Sequence, residues 1–467
     1  MTTDTNSSSP GVAGEGAIKR FLRATEIDTR MIGLVAAMAV IWIGFDIASG
    51  LLRPGSGGLF GGSFLTARNL WILLVQTTVI AVMTTGMVLV IVLRQIDLSV
   101  GSMLSVVAIA TGVLQVFNLG PALGLGHPSI WIIAVVFSIA LGAAVGFFNG
   151  ALIAYGQIPS FIVTLGGLIA YSGTAFLIAK GVTVAPMDKT FKLIGGNGPA
   201  ASIGPIWSWV LGAAICAVIV AAIALRRRQR IRYNFTPRPV WAEVLSAVVG
   251  CAAVLGATAI VNSYLYPPRV AERFALENNI PIPAGVEDKA GYAICQAGDK
   301  VVTCLDGLSF QTGYPIPVLI TLAVAVAMTF IARRTRFGRY IFATGGNPEA
   351  AELAGINTKR LTVMVFTLMG VLVGISSVIA SARLDAATTA LGSLNELYVI
   401  AAAVIGGTSL AGGIGTIYGA ILGALLMQSL QSGMALLNVD SAYTNIVVGI
   451  VLVLAVFVDQ IYRRRVK

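Results

Sequence analysis

Between two long apolar runs the chain reads Arg333-Arg-Thr-Arg-Phe-Gly-Arg-Tyr-Ile-Phe-Ala-Thr-Gly-Gly-Asn-Pro-Glu-Ala-Ala-Glu-Leu-Ala-Gly-Ile-Asn-Thr-Lys-Arg360. The centre of this basic stretch has the signals of a short helix. Asn347 can cap the first turn with its side-chain oxygen, and Pro348 stands where a missing N–H costs nothing. Gly355 supplies the left-handed residue that commonly ends a helix. The pattern predicts a helix Pro348–Leu353, too short to be stable without neighbours or a partner. An ordinary loop between two helices is the alternative that the pattern leaves open.

The apolar runs on both sides of this stretch belong to a chain that is 57% hydrophobic and only 11% charged. Runs of about 20 apolar residues recur, and each is long enough to cross a hydrocarbon core about 30 Å thick. They lack the alternation of polar and apolar residues that barrel strands would show. The composition therefore predicts an all-α, polytopic helical membrane protein.

We predict about twelve spans in the membrane domain 31–462. Two of them, Leu98–Phe117 and Leu397–Leu410, contain glycine and polar residues and could be broken or re-entrant. Backbone that is not helical is tolerated at membrane depth only inside protein or beside a wet cavity. The other predicted spans are Met31–Leu52, Leu70–Leu93, Ile130–Ile153, Ile158–Ala179, Ile206–Leu225, Val240–Tyr264, Pro315–Ala332, Leu361–Ala382, Ile414–Leu437 and Ile446–Tyr462.

Most of the 31 lysines and arginines lie in short segments beside the spans. Such segments mark the cytoplasmic side of a membrane protein. The expected counter-charge is acidic membrane lipid, and no nucleic-acid partner is expected, because the positive charge lies in short segments beside apolar spans. The cytoplasmic segments are then the N-terminal tail 1–30, the basic loop 226–239, the loop 333–360 and the tail 463–467, and 265–314 is an external loop.

The external loop contains Cys295 and Cys304, whereas Cys216 and Cys251 lie within apolar spans. Two cysteines in an oxidising compartment can form a disulfide, and two free thiols are the alternative.

Polar side chains within or beside the spans are costly in hydrocarbon, so each requires a reason. Asp97 either caps the following helix or pairs with Arg94, or it lines the route of a polar solute. Glu396 likewise caps its own helix or faces the route. Hydroxyl groups can also bond to their own helix or to a neighbour. The candidate pathway residues are Asp97, Ser99, Ser102, Asn149, Ser160, Thr164, Asn395 and Glu396.

A further set of residues, Gly415, Gly419 and Gly423, recurs every four positions and so lines one helical face. Small residues allow a close approach of helices in a membrane. The partner helix belongs either to the same subunit or to a second copy.

The sequence lacks the residue patterns that several kinds of chemistry require. There is no G-x-x-x-x-G-K-[ST] phosphate loop, so the chain does not bind ATP in the usual manner. It has one histidine, His127, and no cysteine or histidine cluster with metal-ligand spacing. We predict no catalytic residue, no metal and no cofactor, which disfavours a membrane enzyme. An ion-driven secondary transporter is the alternative, although the acids are isolated near helix ends rather than paired within spans.

Four stretches together carry a family resemblance. The run Ala343-Thr-Gly-Gly-Asn-Pro-Glu-Ala-Ala-Glu-Leu-Ala-Gly-Ile resembles the coupling-helix loop of permease subunits in ATP-binding-cassette (ABC) sugar importers. The resemblance is to the ribose/xylose group, and within it to the xylose permeases. It covers most of the chain from about Leu70 onward. The other three stretches are Ile96-Asp-Leu-Ser-Val-Gly-Ser-Met103, Pro159-Ser-Phe-Ile-Val-Thr-Leu-Gly166 and Val404-Ile-Gly-Gly-Thr-Ser-Leu-Ala-Gly-Gly413.

The resemblance implies a translocation subunit of the cell inner membrane that forms a permease homodimer. Its partners would be two copies of a separate ABC ATPase subunit and a periplasmic sugar-binding protein. The implied cargo is a neutral monosaccharide, xylose before ribose. The external loop 265–314 is longer than the corresponding connection in xylose permeases. The residues implied to couple to the ATPase are Gly345, Gly346, Asn347, Pro348, Glu349, Ala350, Ala351 and Gly355.

Overall fold

Long helices form a bundle in the computed structural model of the protein. The structure describes residues 29–52, 61–124, 126–266, 286–287, 293–297, 300–303 and 312–466. The helices are α1 (Thr29–Leu52), α2 (Ala67–Val92), α3 (Val100–Val113), α4 (Ser129–Ala154), α5 (Ser160–Ala179), α6 (Lys189–Ile194), α7 (Gly204–Arg232), α8 (Val240–Ser263), α9 (Ile316–Arg334), α10 (Arg336–Gly346), α11 (Pro348–Leu353), α12 (Thr358–Leu384), α13 (Asn395–Ile405), α14 (Ile417–Leu436) and α15 (Ser441–Val466).

The prediction of a polytopic helical membrane protein is confirmed. Each of the predicted spans corresponds to a helix, and among the described residues ten helices are long and apolar enough to cross a membrane. The two spans predicted to be irregular differ from the others. After Val113, α3 continues as a π-helical segment, Leu114–Leu119, and a short turn, Gly120–Leu123. Helix α13 has only 11 residues, which at 1.5 Å per residue reach about half of the hydrocarbon thickness.

Residues of the described chain fall into two compact units. The smaller contains residues 29–33 and the hairpin Trp209–Ala257, formed by most of α7 and α8. The larger contains Leu34–Ser208 and the described residues from Thr258 onward.

Helix α2 is the central element of the larger unit. In its most apolar 18-residue stretch, 94% of the residues are buried inside the protein. The corresponding shares are 72% for α12 and 17% for α5. It packs against α9, α12, α13 and α14. An apolar helix gains little from leaving lipid, so side-chain packing and hydrogen bonding determine which helices are enclosed.

The most extensive helix contact joins α4 and α12, and glycines make it. A Cβ placed on Gly142 or Gly146 would overlap the carbonyl oxygens of Gly370 and Phe366, respectively. Conversely, a Cβ on Gly370 would overlap the carbonyl oxygen of Gly142. The two backbones therefore touch directly, which no larger residue allows.

The glycine face of α14 packs within the same chain. A Cβ on Gly419 would overlap the carbonyl oxygen of Gly406, and one on Gly423 would overlap that of Ala402. Gly415 lies before the start of α14, so it is not on the predicted helical face; a Cβ there would overlap Val92 and Val88 of α2. Between the two alternatives for this face, the structure shows contact inside one subunit.

A small antiparallel sheet lies in the segment between α8 and α9. Its strands are β1 (Val286–Glu287), β2 (Ala293–Ala297) and β3 (Lys300–Thr303), in the order β1-β2-β3. Cys295 of β2 is opposite Val302 of β3. Since Cys304 lies outside the described residues, its disulfide with Cys295 stays a prediction.

Candidate coupling site and transport pathway

Helix α11 has the local structure that its sequence predicts. The Asn347 side-chain oxygen accepts a hydrogen bond of 3.0 Å from the Ala350 N–H. Pro348 occupies the first helical position, and Glu349 lies in the first turn, where a negative charge favours the helix dipole. Gly355 follows the helix with φ +80°, in the left-handed region that favours glycine. Both ends of this short helix are thus fixed by local chemistry.

One side of α11 is buried and the other is free. Ala351 is buried against the protein, whereas Gly346, Glu349 and Ala350 are exposed. Leu353 is 91% exposed, the largest exposed fraction of any bulky apolar side chain that the structure describes. Burial of such a leucine in a partner would contribute about 1.5–3 kcal/mol. Leu353 was not among the residues predicted from the sequence to couple to a partner.

Arg94 connects the segment before α11 to the rest of the protein. It follows α2 in a left-handed conformation, with φ +62°. Its Nε donates to the Gly345 carbonyl and its Nη2 donates to the Gly346 carbonyl, both at 2.7 Å. These are the last two carbonyls of α10, just before α11. Arg94 therefore joins the end of α2 to the candidate coupling segment, and its guanidinium serves these carbonyls rather than the Asp97 carboxylate.

A third segment meets the same junction. The Gly413 N–H donates to the Val92 carbonyl at 2.9 Å. Gly412 and Gly413 have φ +86° and +73°, so both need the freedom of glycine. A Cβ on Gly345 would overlap the Val92 carbonyl oxygen, whereas one on Gly346 would meet no atom within 4 Å. The junction thus explains why glycine is required at position 345.

A chain of side-chain hydrogen bonds leads from the same loop into the bundle. The Ser99 Oγ donates to Asp97 Oδ1 at 2.6 Å, and the Asn149 amide donates to Ser99 Oγ at 3.1 Å. The Tyr171 hydroxyl, on α5, donates to Asn149 Oδ1 at 2.6 Å. Asp97, Ser99 and Asn149 are all buried. Tyr171 was not predicted from the sequence, because nothing in its local pattern marks it.

Asp97 does not cap α3. Its carboxylate accepts from the Ser99 N–H at 2.9 Å, and Ser99, the residue at the cap position, makes no side-chain bond to the helix. Burial raises the pKa of the Asp97 carboxyl above its usual range, and the two hydrogen bonds from Ser99 only partly oppose this shift. The carboxyl therefore stays uncharged over a wider pH range than an exposed aspartate.

Three other candidate residues support the loop that carries Asp97. The Ser160 Oγ accepts from the Ile96 N–H at 3.3 Å, and Thr164 Oγ1 donates to the Ser160 carbonyl at 2.8 Å and contacts the Ile96 carbonyl at 3.3 Å. Ser102 donates to the Ser99 carbonyl at 3.0 Å. In this conformation their hydroxyl groups make hydrogen bonds that stabilise the loop.

The remaining candidates, Asn395 and Glu396, begin α13. The cap position there is Leu394, which has φ +64° and no side-chain oxygen, so neither residue is the predicted cap. Glu396 is buried, and its Oε2 packs where a Cβ of Gly101 would stand. Gly101 lies two residues after Ser99, so Glu396 lies against the same turn of α3 as the polar network.

An open cavity of about 350 Å³ lies beside the Arg94 junction. It is bounded by the ends of α2 and α4 and by both ends of α11. Its lining includes Arg94, Ile153, Thr344, Pro348, Glu352 and Lys359.

The fold and the site are those of a polytopic membrane protein that holds a capped helix on a basic loop, next to a buried polar network. The model of the family described as branched-chain amino acid transport system / permease component matches residues 69–233 and 200–456. The chain belongs to this family.

Curated relatives extend over nearly the whole chain. The xylose transport system permease protein XylH of Escherichia coli is 35% identical over 86% of this chain and 88% of its own length. The protein of the same name from Haemophilus influenzae is 32% identical over 91% of this chain and 95% of its own. The ribose import permease protein RbsC of Escherichia coli is 31% identical, with 85% and 87% covered. No solved structure gives a significant match.

Proposed function

We propose that this chain is the membrane-spanning permease subunit of an ABC importer for a neutral monosaccharide, xylose or a related pentose. Support comes from family membership and from xylose and ribose permeases as relatives over most of the chain. The polar groups of the candidate pathway residues are amides, hydroxyls and two carboxyls, which suit a neutral polyol. An ion-driven secondary transporter has no support among these relatives.

The observation that carries the proposal is the geometry of α11. A two-turn helix with an exposed Leu353 is held by Ala351 on one side and by Arg94 at its base. An ATPase subunit that buries the exposed side would move the helix as one piece. Arg94 would pass this movement to α2, and the Ile96–Ser99 loop directly follows.

The pathway then lies around the Asp97 network. Movement of the loop would alter the bonds that Ser160 and Thr164 make to Ile96. The polar groups of Ser99 and Asn149 would be released to the cargo, with Asn395 and Glu396 near α3. In the present conformation the Ser99 and Asn149 side chains bond to one another, so binding of cargo there would require them to separate.

The proposal includes the whole assembly. Two copies of the permease would pair with two ATPase subunits and one periplasmic sugar-binding protein in the inner membrane. The N- and C-terminal tails and the loops 226–239 and 333–360 would face the cytoplasm, because basic segments mark that side. ATP hydrolysis would take place on the separate subunit, since this chain has no phosphate loop.

Uptake of radiolabelled sugars into cells that lack only this gene tests the proposal. Xylose, ribose, galactose and glycerol are compared, and we expect xylose uptake to fall and to return with the wild-type gene. Normal xylose uptake with loss of another sugar would overturn the pentose assignment. Uptake that persists when ATP is depleted but an ion gradient is kept would overturn the ABC assignment.

A further inference from the structure

The turn between α7 and α8 holds a basic pocket that the transport mechanism does not use. It is open, has a volume of about 110 Å³ and lies within the smaller unit. Four arginines and one glutamate line it. The lining residues are Ile223, Arg226, Arg227, Arg230, Arg238 and Glu243.

The spacing of the chain creates this pocket. Arg226, Arg227 and Arg230 lie on one side of the last turns of α7, since residues three and four apart share a helix face. Arg227 is fixed in place, because its Nη1 donates to Glu243 Oε2 at 2.7 Å and to the Arg238 carbonyl at 3.2 Å. A single carboxylate in the lining leaves the pocket with a net positive charge.

Exposed apolar and aromatic side chains surround the basic turn. Leu225, just before the first arginine, is 56% exposed, and Val240 and Trp241 at the start of α8 are 59% and 52% exposed. Tyr233 in the turn is 66% exposed. Tryptophan and tyrosine favour the headgroup level of a bilayer. The pocket therefore lies at the boundary between the apolar stems of the two helices and a polar turn.

We propose that this pocket binds the phosphate group of an anionic membrane lipid. Arginine binds phosphate through paired, charge-assisted hydrogen bonds, and basic clusters next to a membrane helix attract anionic headgroups. Free phosphate has the same chemistry at the headgroup. The apolar rim favours the lipid, because its acyl chains can pack on Leu225, Val240 and Trp241.

Native mass spectrometry of the purified full chain from nanodiscs tests this inference, with phosphatidylglycerol and phosphatidylcholine compared. We expect retained phosphatidylglycerol, and we expect the double variant Arg226→Gln/Arg230→Gln to weaken its binding by roughly fivefold for each arginine. The matched control is Arg228→Gln/Arg232→Gln, which removes the same charge from the same helix outside the pocket lining. It should retain the lipid.

Equal loss in both double variants would overturn the pocket and leave only a general attraction of charge. Inorganic phosphate and soluble glycerophosphoglycerol, each at millimolar concentration, are then added as competitors. If both displace phosphatidylglycerol equally well, the pocket binds phosphate without regard to the lipid, and the proposal is wrong. Circular dichroism and gel filtration of each variant establish that a loss of lipid does not result from misfolding.

Discussion

At the scale of residues, Arg94 joins two parts of the candidate site that are far apart in the chain. Its two hydrogen bonds reach carbonyls 251 and 252 positions away in the chain. Charged donors make hydrogen bonds of about 1.5–3 kcal/mol, stronger than neutral ones. The planar guanidinium can serve two carbonyls at once, which an ammonium group cannot do with the same geometry.

We expect Arg94→Ala to lower sugar transport about tenfold or more while the protein still reaches the membrane. The reason is that α11 would lose its link to α2, so ATP hydrolysis would no longer move the loop at Asp97. The measurement is transport and ATPase activity of the reconstituted importer. Arg94→Lys should recover only a small part of transport.

The control for this change is Arg336→Ala on the exposed start of α10, which also removes one arginine from the basic region. It should transport normally. A coupled, fully active Arg94→Ala importer would show that the two hydrogen bonds carry no mechanical role.

Two adjacent glycines give a second prediction at this scale. Gly345→Ala should lower the free energy of unfolding by about 1–3 kcal/mol, because the new methyl group overlaps the Val92 carbonyl. Gly346→Ala should leave stability unchanged, since a Cβ at that position would meet no atom within 4 Å. Thermal unfolding of the purified variants measures both, and equal stability of the pair would contradict the packing at the junction.

A variant at Gly346 also distinguishes an effect on folding from an effect on docking to the ATPase. A Cβ at position 346 meets no atom within 4 Å in the chain. If Gly346→Trp keeps normal stability, we assign a loss of transport to the complex with the ATPase. Normal transport by this variant with an intact ATPase would remove Gly346 from the docking surface.

At the scale of elements, local sequence signals were enough to predict α11. Contacts between residues far apart in the chain could not be predicted from them. The ends of α11 depend on Asn347 and Gly355, which act within one turn, so the sequence was sufficient. The partners of Arg94 and Tyr171 depend on how distant helices meet, and a single sequence does not show this. Asp97 lies between these two cases. Its burial could be expected from the sequence, but the sequence did not show that it bonds to Ser99 rather than to Arg94.

The same limit applies to the glycine contact of α4 and α12. Gly142, Gly146, Gly370 and Gly374 recur at four-residue spacing, which was visible in the sequence, as was that of the α14 glycines. Spacing predicts a close helix contact but does not identify the partner helix. Only the three-dimensional structure pairs Gly142 with Gly370.

We expect Gly370→Ala to reduce the yield of folded protein strongly, because its methyl group would enter the backbone of α4. Overpacking of this kind typically costs about 1–3 kcal/mol. Gly173→Ala in α5 is the matched control, since no atom lies within 4 Å of a Cβ there. The measurement is the monodisperse fraction in detergent after mild heating. Similar fractions for the two variants would contradict the contact.

At the scale of the whole molecule, the placement of charge predicts which side of the membrane each loop faces. The basic turn after α7 and the basic loop before α11 belong to one side by this rule, and the segment between α8 and α9 belongs to the other. Among the described residues, ten membrane-length helices and two shorter apolar helices follow the order of the twelve predicted spans. Helices alone do not distinguish inside from outside. The orientation therefore requires a chemical test.

Thiol labelling in intact cells supplies that test. In a variant with the four native cysteines replaced by serine, a single Asp288→Cys should react with a membrane-impermeant maleimide added from outside. Gln229→Cys, in the basic last turns of α7, should react only after lysis, because positively charged segments beside spans stay cytoplasmic. The reverse pattern would invert the whole topology and would move α11 to the side without ATP. Labelling of both sites from outside would mean that α8, the one helix between them that is predicted to cross, does not span the membrane.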